Sequence, residues 1–172
     1  MFPVYIECKQ KSKQMTSLLI IALLVGLALL LTSCKFGTPF SGPITELKKL
    51  SPDETAVIAL SYVKTGDDSA KNKVFWDYVM EVNDYLPKYK GYLGHSIRRV
   101  VLGKEGWTMT VWENEQSLNG FIRGDLHQKA IEKSLNAVAK ARFARATVKR
   151  SEVPISWEKA EQILATQGRD LY

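Results

Sequence analysis

Cysteine is almost missing from this chain. Its 172 residues include two, Cys8 and Cys34. Cys8 precedes the long apolar run and Cys34 closes it, so the part that follows holds no disulfide, thiolate metal site or thiol nucleophile. That part must be held by its core alone. Histidine is as scarce, with only His95 and His127, so chemistry that moves a proton near neutral pH has two imidazoles to draw on. A strong excess of one charge is also absent: 24 Lys and Arg face 18 Asp and Glu, a net +6. No base-contacting motif accompanies it, which excludes nucleic acid as a partner. A mildly basic surface gains roughly 1 kcal/mol per well-placed Lys or Arg near anionic headgroups. Metal-ligating clusters are not evident either, and no metal is expected.

What the chain does have is Leu18 to Cys34, LLIIALLVGLALLLTSC, behind Lys9, Lys11 and Lys13. A charged segment, an apolar run of about 14 residues and then small residues is the order of an export signal. Leu31-Thr32-Ser33-Cys34 resembles the bacterial lipobox, in which cleavage before the cysteine leaves it as the lipid-bearing first residue. The resemblance implies a signal peptide over 1–33, a lipid (palmitate-type) anchor on Cys34, and a domain on the extracytoplasmic side of the cell envelope. The alternative is an uncleaved anchor, for which about 20 apolar residues are wanted and the run is short. Both readings put the domain outside, because positive flanks stay cytoplasmic.

Residues 34–54 carry Gly37, Pro39, Gly42, Pro43 and Pro52 and read as a flexible tether. The folded domain, 55–172, opens with Thr55 to Lys64, β-branched and apolar, a buried strand. Asp68 or Ser69 caps a helix with its stripe on Phe75, Tyr78, Val79, Val82, Tyr85 and Leu86. Tyr92 to Leu102 and Trp107 to Glu113 form a hairpin across Gly103 to Gly106. Asn114 or Ser117 starts helical material that Gly124 kinks or restarts. Arg142 to Arg150 is a fourth strand, and Pro154 with Ser156 begins a last helix.

The order βαββαβ plus a helix predicts an α+β, ferredoxin-like domain: four antiparallel strands with two helices on one face. The other face is left open, and both faces of the third strand, Trp107 to Glu113, carry large apolar groups. A homodimer closing its sheets on each other is expected, as a dimeric α+β barrel with Trp112 at or near the contact.

The runs WTMTVWENEQSLNGFIRGDLHQKAI and RFARATVKRSEVPISWEKAEQIL resemble the dimeric α+β barrel superfamily of antibiotic-biosynthesis-monooxygenase-like domains. Within them Val111-Trp112-Glu113, the Leu118 and Phe121 spacing, His127 and the Val153-Pro154 to Ala160 run carry the likeness. The superfamily contains cofactor-free quinone-forming oxygenases, haem-degrading enzymes, isomerases and members with no known activity, so the likeness implies a fold more than a reaction. Its haem-degrading branch uses an Asn on the first strand, a Trp at the end of the third and a His on the next helix. Here only Trp112 matches. The ligand position falls near Ile131, and Ser61 and Tyr62 stand in place of the Asn, so no haem or other cofactor is expected. Ligation by His127 from a shifted helix is the alternative.

For cofactor-free oxygenation the resemblance makes His127 the base, lining a pocket with Trp112, Phe121 and Tyr62 around a small apolar or aromatic, quinone-like ligand. Arg98 or Arg142 would partner the resulting anion. Competing readings are a structural His127 at a helix start and a Trp112 in dimer core, and His95, on an exposed hairpin, is assigned no role. The same domain without chemistry would be a lipid-anchored binding or structural module.

Overall fold

The computed structural model describes Leu18, Ile20, Ile21 and residues 34–171. The expected cleavage site, Ser33 before Cys34, and nearly all of the signal segment lie outside the described residues. Cys34 itself is exposed. No helix among the described residues is long and apolar enough to cross a membrane.

The strands are β1 (Lys35–Gly37), β2 (Thr55–Thr65), β3 (Tyr92–Val100), β4 (Glu105–Trp112), β5 (Val138–Lys149) and β6 (Arg169–Asp170). The helices are α1 (Ile44–Leu50), α2 (Ser69–Tyr85), α3 (Glu115–Ile122), α4 (Asp125–Ser134) and α5 (Trp157–Gln167). Two compact units result. A small one carries Lys35 and Val100–Gly103; the main one comprises Phe36–Arg99 and Lys104–Tyr172. In the small unit the Val101 N–H donates to the Cys34 carbonyl at 2.8 Å and the Gly103 N–H to the Val100 carbonyl at 3.1 Å.

The sheet runs β1-β3-β4-β2-β5-β6, and β3, β4, β2 and β5 pair antiparallel. The first long strand therefore lies between the third and fourth, with the second outside. That is the split βαβ order of a ferredoxin-like α+β domain. Local chemistry sets the ends. The Asp68 carboxylate caps α2 by accepting from the Ala70 and Lys71 N–H groups at 3.0 and 3.1 Å. Asn114 caps α3 through the Ser117 N–H at 2.9 Å, and Ser156 caps α5 through that of Lys159 at 3.2 Å. Gly124 restarts the chain as α4, with φ −64° and ψ 142°.

Register and alternation assign the two sheet faces. Val57, Ala59, Ser61 and Val63 of β2 pair with Trp112, Thr110, Thr108 and Gly106 of β4 and face α2, α3 and α4. There Val57, Leu86, Tyr92, Trp112, Leu118 and Phe121 form a core. The face between carries Ile58 and Leu60 of β2 with Val111 and Met109 of β4, all at most 2% exposed.

This second face overturns the open-sheet expectation. It is covered within one chain by α5, which packs on β2 and β5 and buries Ala160, Ile163 and Leu164. Trp112 is fully buried, and on the helix face, so it cannot be the contact between two sheets. The tether expectation also changes. Residues 34–54 supply β1 and α1, Ile44 is fully buried, and the Ser41 and His95 backbones exchange two hydrogen bonds at 2.8 and 3.0 Å. Glycine allows that approach: a Cβ on Gly94 would collide with the Phe40 ring. The breakers in this stretch shape a path along the sheet edge.

Candidate functional site

Between the sheet and the helices lies a cavity of about 1170 Å³, somewhat larger than the roughly 300–1,000 Å³ usual for small-molecule sites. Its helix wall comes from α2, α3 and α4, with Phe75, Val79, Val82, Phe121, His127 and Ile131 among the lining side chains. Ser61, His95, Ile97, Thr108 and Thr110 line the sheet wall. At the β5 and β6 edge the rim carries exposed Phe143 and Leu171. The lining is mostly apolar, with few polar groups.

His127 sits in the first turn of α4. Its Nδ1 lies 3.1 Å from the Ile122 carbonyl oxygen. A carbonyl only accepts, so Nδ1 carries the proton and the neutral ring presents Nε2 as a bare lone pair. Burial pushes the His127 pKa below its usual 6.5, against a smaller upward pull from the Ile122 hydrogen bond. The imidazole is thus neutral, hence able to accept a proton, at pH 7. The Gln128 amide donates to the same carbonyl at 2.6 Å, fixing the corner between α3 and α4.

Phe121 packs on His127 with ring centroids 4.5 Å apart and stacks on Trp112 at 4.9 Å with 24° between planes. Tyr89 meets Phe121 edge-on at 5.2 Å. Trp112 donates from Nε1 to Thr110 Oγ1 at 2.9 Å. Trp112 does not line the cavity; it holds Phe121 from behind. Of the residues expected in the site, His127 and Phe121 meet in the cavity and Trp112 backs them.

Tyr62, Arg98 and Arg142 do not join them. Tyr62 pairs with Trp107 and Arg142, and Trp107 with Arg98, which places all three in one row on the face under α5. There Tyr62 donates to Glu105 at 3.0 Å, Arg98 pairs with Glu161 at 3.0 Å, and Arg142 donates to the Gly168 carbonyl at 3.0 Å at the end of α5. Strand parity is the reason: along β5 the cavity face takes Ala141, Phe143 and Arg145. Arg145 lines the cavity and donates to Glu115 at 2.7 Å and Asn119 at 3.1 Å.

His95 was missed. It lines the cavity from β3, and its Nδ1 meets the Tyr92 hydroxyl, which also reaches the Ser41 carbonyl at 3.2 Å. Burial lowers its pKa, partly offset by Asp84. Alternation along β3 was the available signal: His95 shares parity with the apolar Ile97. Asn83 of α2 is a further polar residue of the lining, and its buried Oδ1 has no hydrogen-bond partner. Among the described residues no group of His, Cys, Asp and Glu is arranged to hold a metal ion.

No family model matches the chain, and no curated protein matches it. Solved structures do. The chain is similar to a candidate monooxygenase from Lactobacillus acidophilus NCFM, with 14% identity and a TM-score of 0.47 over 58% of this chain and 49% of that one. Against a candidate antibiotic biosynthesis monooxygenase from Nitrosomonas europaea the values are 9% and 0.45, over 64% and 91%. Against a conserved protein from Methanosarcina mazei Go1 they are 13% and 0.47, over 57% and 95%. The chain spans about half the length of the first of these structures.

Proposed function

We propose that the domain binds a small, largely apolar aromatic carrying a phenolic hydroxyl and oxidises it with His127 as the base. The observation that carries this reading is His127 itself: proton fixed on Nδ1, Nε2 bare, ring buried against Phe121 in an apolar cavity. The phenol passes its proton to Nε2, and the electron-rich anion reduces dioxygen. For a hydroquinone two protons and two electrons leave in all, giving the quinone and hydrogen peroxide. A phenol of pKa about 10 is a poor match for an exposed carboxylate near 4; an imidazole starts closer, at about 6.5 unperturbed, and the burial that lowers His127 takes back part of that advantage. No cofactor and no haem enters this scheme.

The experiment is oxygen uptake on a panel of hydroquinones by the wild-type protein and His127→Ala. A rate loss of about 10² or more is expected from removing a general base. Equal rates in both would overturn the role of His127.

A second reading, a binding module without chemistry, draws on the apolar lining and on Trp112, whose stacking is a packing role. Turnover of no panel member would favour it. Location belongs to the same proposal: export, lipid on Cys34 and attachment to the membrane on the extracytoplasmic side rest on Leu31 to Cys34 of the sequence. A homodimer remains part of it too, now through a surface other than the face under α5.

A further inference from the structure

The turn between β3 and β4 holds two apolar side chains outward. Leu102 is 78% exposed and Val101 38%, and Leu102 sits at φ 59°, in the left-handed region that suits glycine and that a branched side chain occupies only at a cost. The Gly103 N–H closes the turn on the Val100 carbonyl at 3.1 Å, and a Cβ on Gly103 would strike the Val100 side chain. The turn is tight, and a leucine so exposed gains little burial from the protein to offset its backbone. One hydrogen bond fixes where the turn lies. The Val101 N–H donates to the Cys34 carbonyl at 2.8 Å, which sets Val101 and Leu102 beside the point where the chain leaves the apolar run Leu18 to Leu31. Lys35, the next residue, is exposed and belongs to the same compact unit.

We propose that Val101 and Leu102 are a second membrane contact, inserted at the headgroup–acyl boundary of the bilayer that holds Cys34. This rests on the reading of Cys34 as the membrane-attached residue and goes beyond it, because the contact belongs to the folded chain and not to the lipid. The chemistry fits an anionic bilayer surface: the leucine and valine enter hydrocarbon while the Lys35 ammonium stays among the phosphates. A lipid surface is the occupant rather than a second copy of the chain, since two side chains fall far short of the roughly 800 Å² per partner that a stable protein interface buries. A bilayer sets no such minimum. The anchor supplies the rest, because a tip hydrogen-bonded to the attached residue meets the membrane at high effective concentration. Lipid alone leaves the small unit free to turn about its attachment; the second contact fixes its orientation.

The test uses the full chain, expressed and processed in a bacterial host and reconstituted in vesicles of phosphatidylethanolamine and phosphatidylglycerol. A nitroxide is placed through Leu102→Cys and, separately, through Met80→Cys, an apolar control 49% exposed on α2. Depth is read from relaxation of the label by oxygen, which concentrates in hydrocarbon, against a water-soluble nickel complex. The label at residue 102 is expected about 5–10 Å into the headgroup–acyl boundary, the depth of interfacial side chains, and the label at residue 80 in water. With the label moved to Val101→Cys, adding Leu102→Gly should bring it out into water at an undiminished melting temperature, because glycine suits the backbone and removes the side chain. A residue-102 label in water on protein whose intact mass shows lipid on Cys34 overturns the proposal and leaves the anchor standing. Spin–spin broadening at residue 102 that disappears on dilution with unlabelled protein means a second copy covers the tip, and overturns it too. So does a residue-101 label that stays in the boundary in Leu102→Gly. Protein that carries no lipid and does not sediment with the vesicles is the failure of the anchor reading, and this proposal falls with it.

Discussion

Replacing Phe121 with alanine tests the packing and the chemistry of the site in one variant. Phe121 is 7% exposed, stacked on Trp112 and in ring contact with Tyr89 and His127. Phe→Ala in a core costs about 3–5 kcal/mol. Here one side of the ring already borders an open cavity, so the space left behind joins an existing one and water can enter. The expected loss is therefore at the low end, about 3 kcal/mol, or about 10 °C in melting temperature for a domain of this size. The same change lifts burial from His127, whose depressed pKa comes chiefly from burial, and so must move that pKa up toward 6.5. Urea unfolding gives the first number, and imidazole resonances against pH give the second. With only two histidines in the chain, single substitutions assign them. Phe143→Ala is the control: it borders the same cavity at 42% exposure and should cost under about 1 kcal/mol. A His127 pKa that stays put or falls in Phe121→Ala, or a stability loss no larger than in the control, would refute the geometry drawn above.

Two more outcomes follow. Both imidazoles titrate lower in the fold than in the unfolded chain, so below about pH 6.5 the unfolded state binds more protons and stability must fall with pH until the folded values are passed. Unfolding free energies should be flat in this respect above about pH 7.5 and decline below 6.5, with a smaller decline in His95→Leu and in His127→Leu; an undiminished slope in either variant removes that residue from the account. Cys34→Ala should leave the precursor uncut at its Lys9-bearing length, and normal processing with membrane retention in that variant would sink the lipid anchor.

The element order was legible because it depends on local signals. Asp68, Asn114 and Ser156 cap helices where the sequence offers caps, and Gly124 restarts the chain between α3 and α4. The Leu118 and Phe121 spacing was legible as a packed helix face, whereas Trp112, expected at the dimer contact or in the pocket wall, stacks behind Phe121 in the same core. What failed was parity and coverage. A strand points successive side chains to opposite faces, so a one-residue choice decides between Arg142 and Phe143, or between Tyr62 and Ser61, and type alone favours the larger polar side chain. Register with β4 and β5 decides it, and register is a long-range property. Coverage failed for a similar reason. A proline- and glycine-rich stretch looks like a tether until Gly94 is seen to admit Phe40 against β3. The last helix looks peripheral until Arg98 is found paired with its Glu161. The same two facts set where ligand can go. With α5 filling one sheet face, the free volume in the main unit lies on the other, and the imidazoles of β3 and α4 are the titratable side chains of that volume nearest neutral pH. His95 and His127 were both in view from the start, and only the pairing of β3 with β4, His95 opposite Thr110, puts them in one chamber.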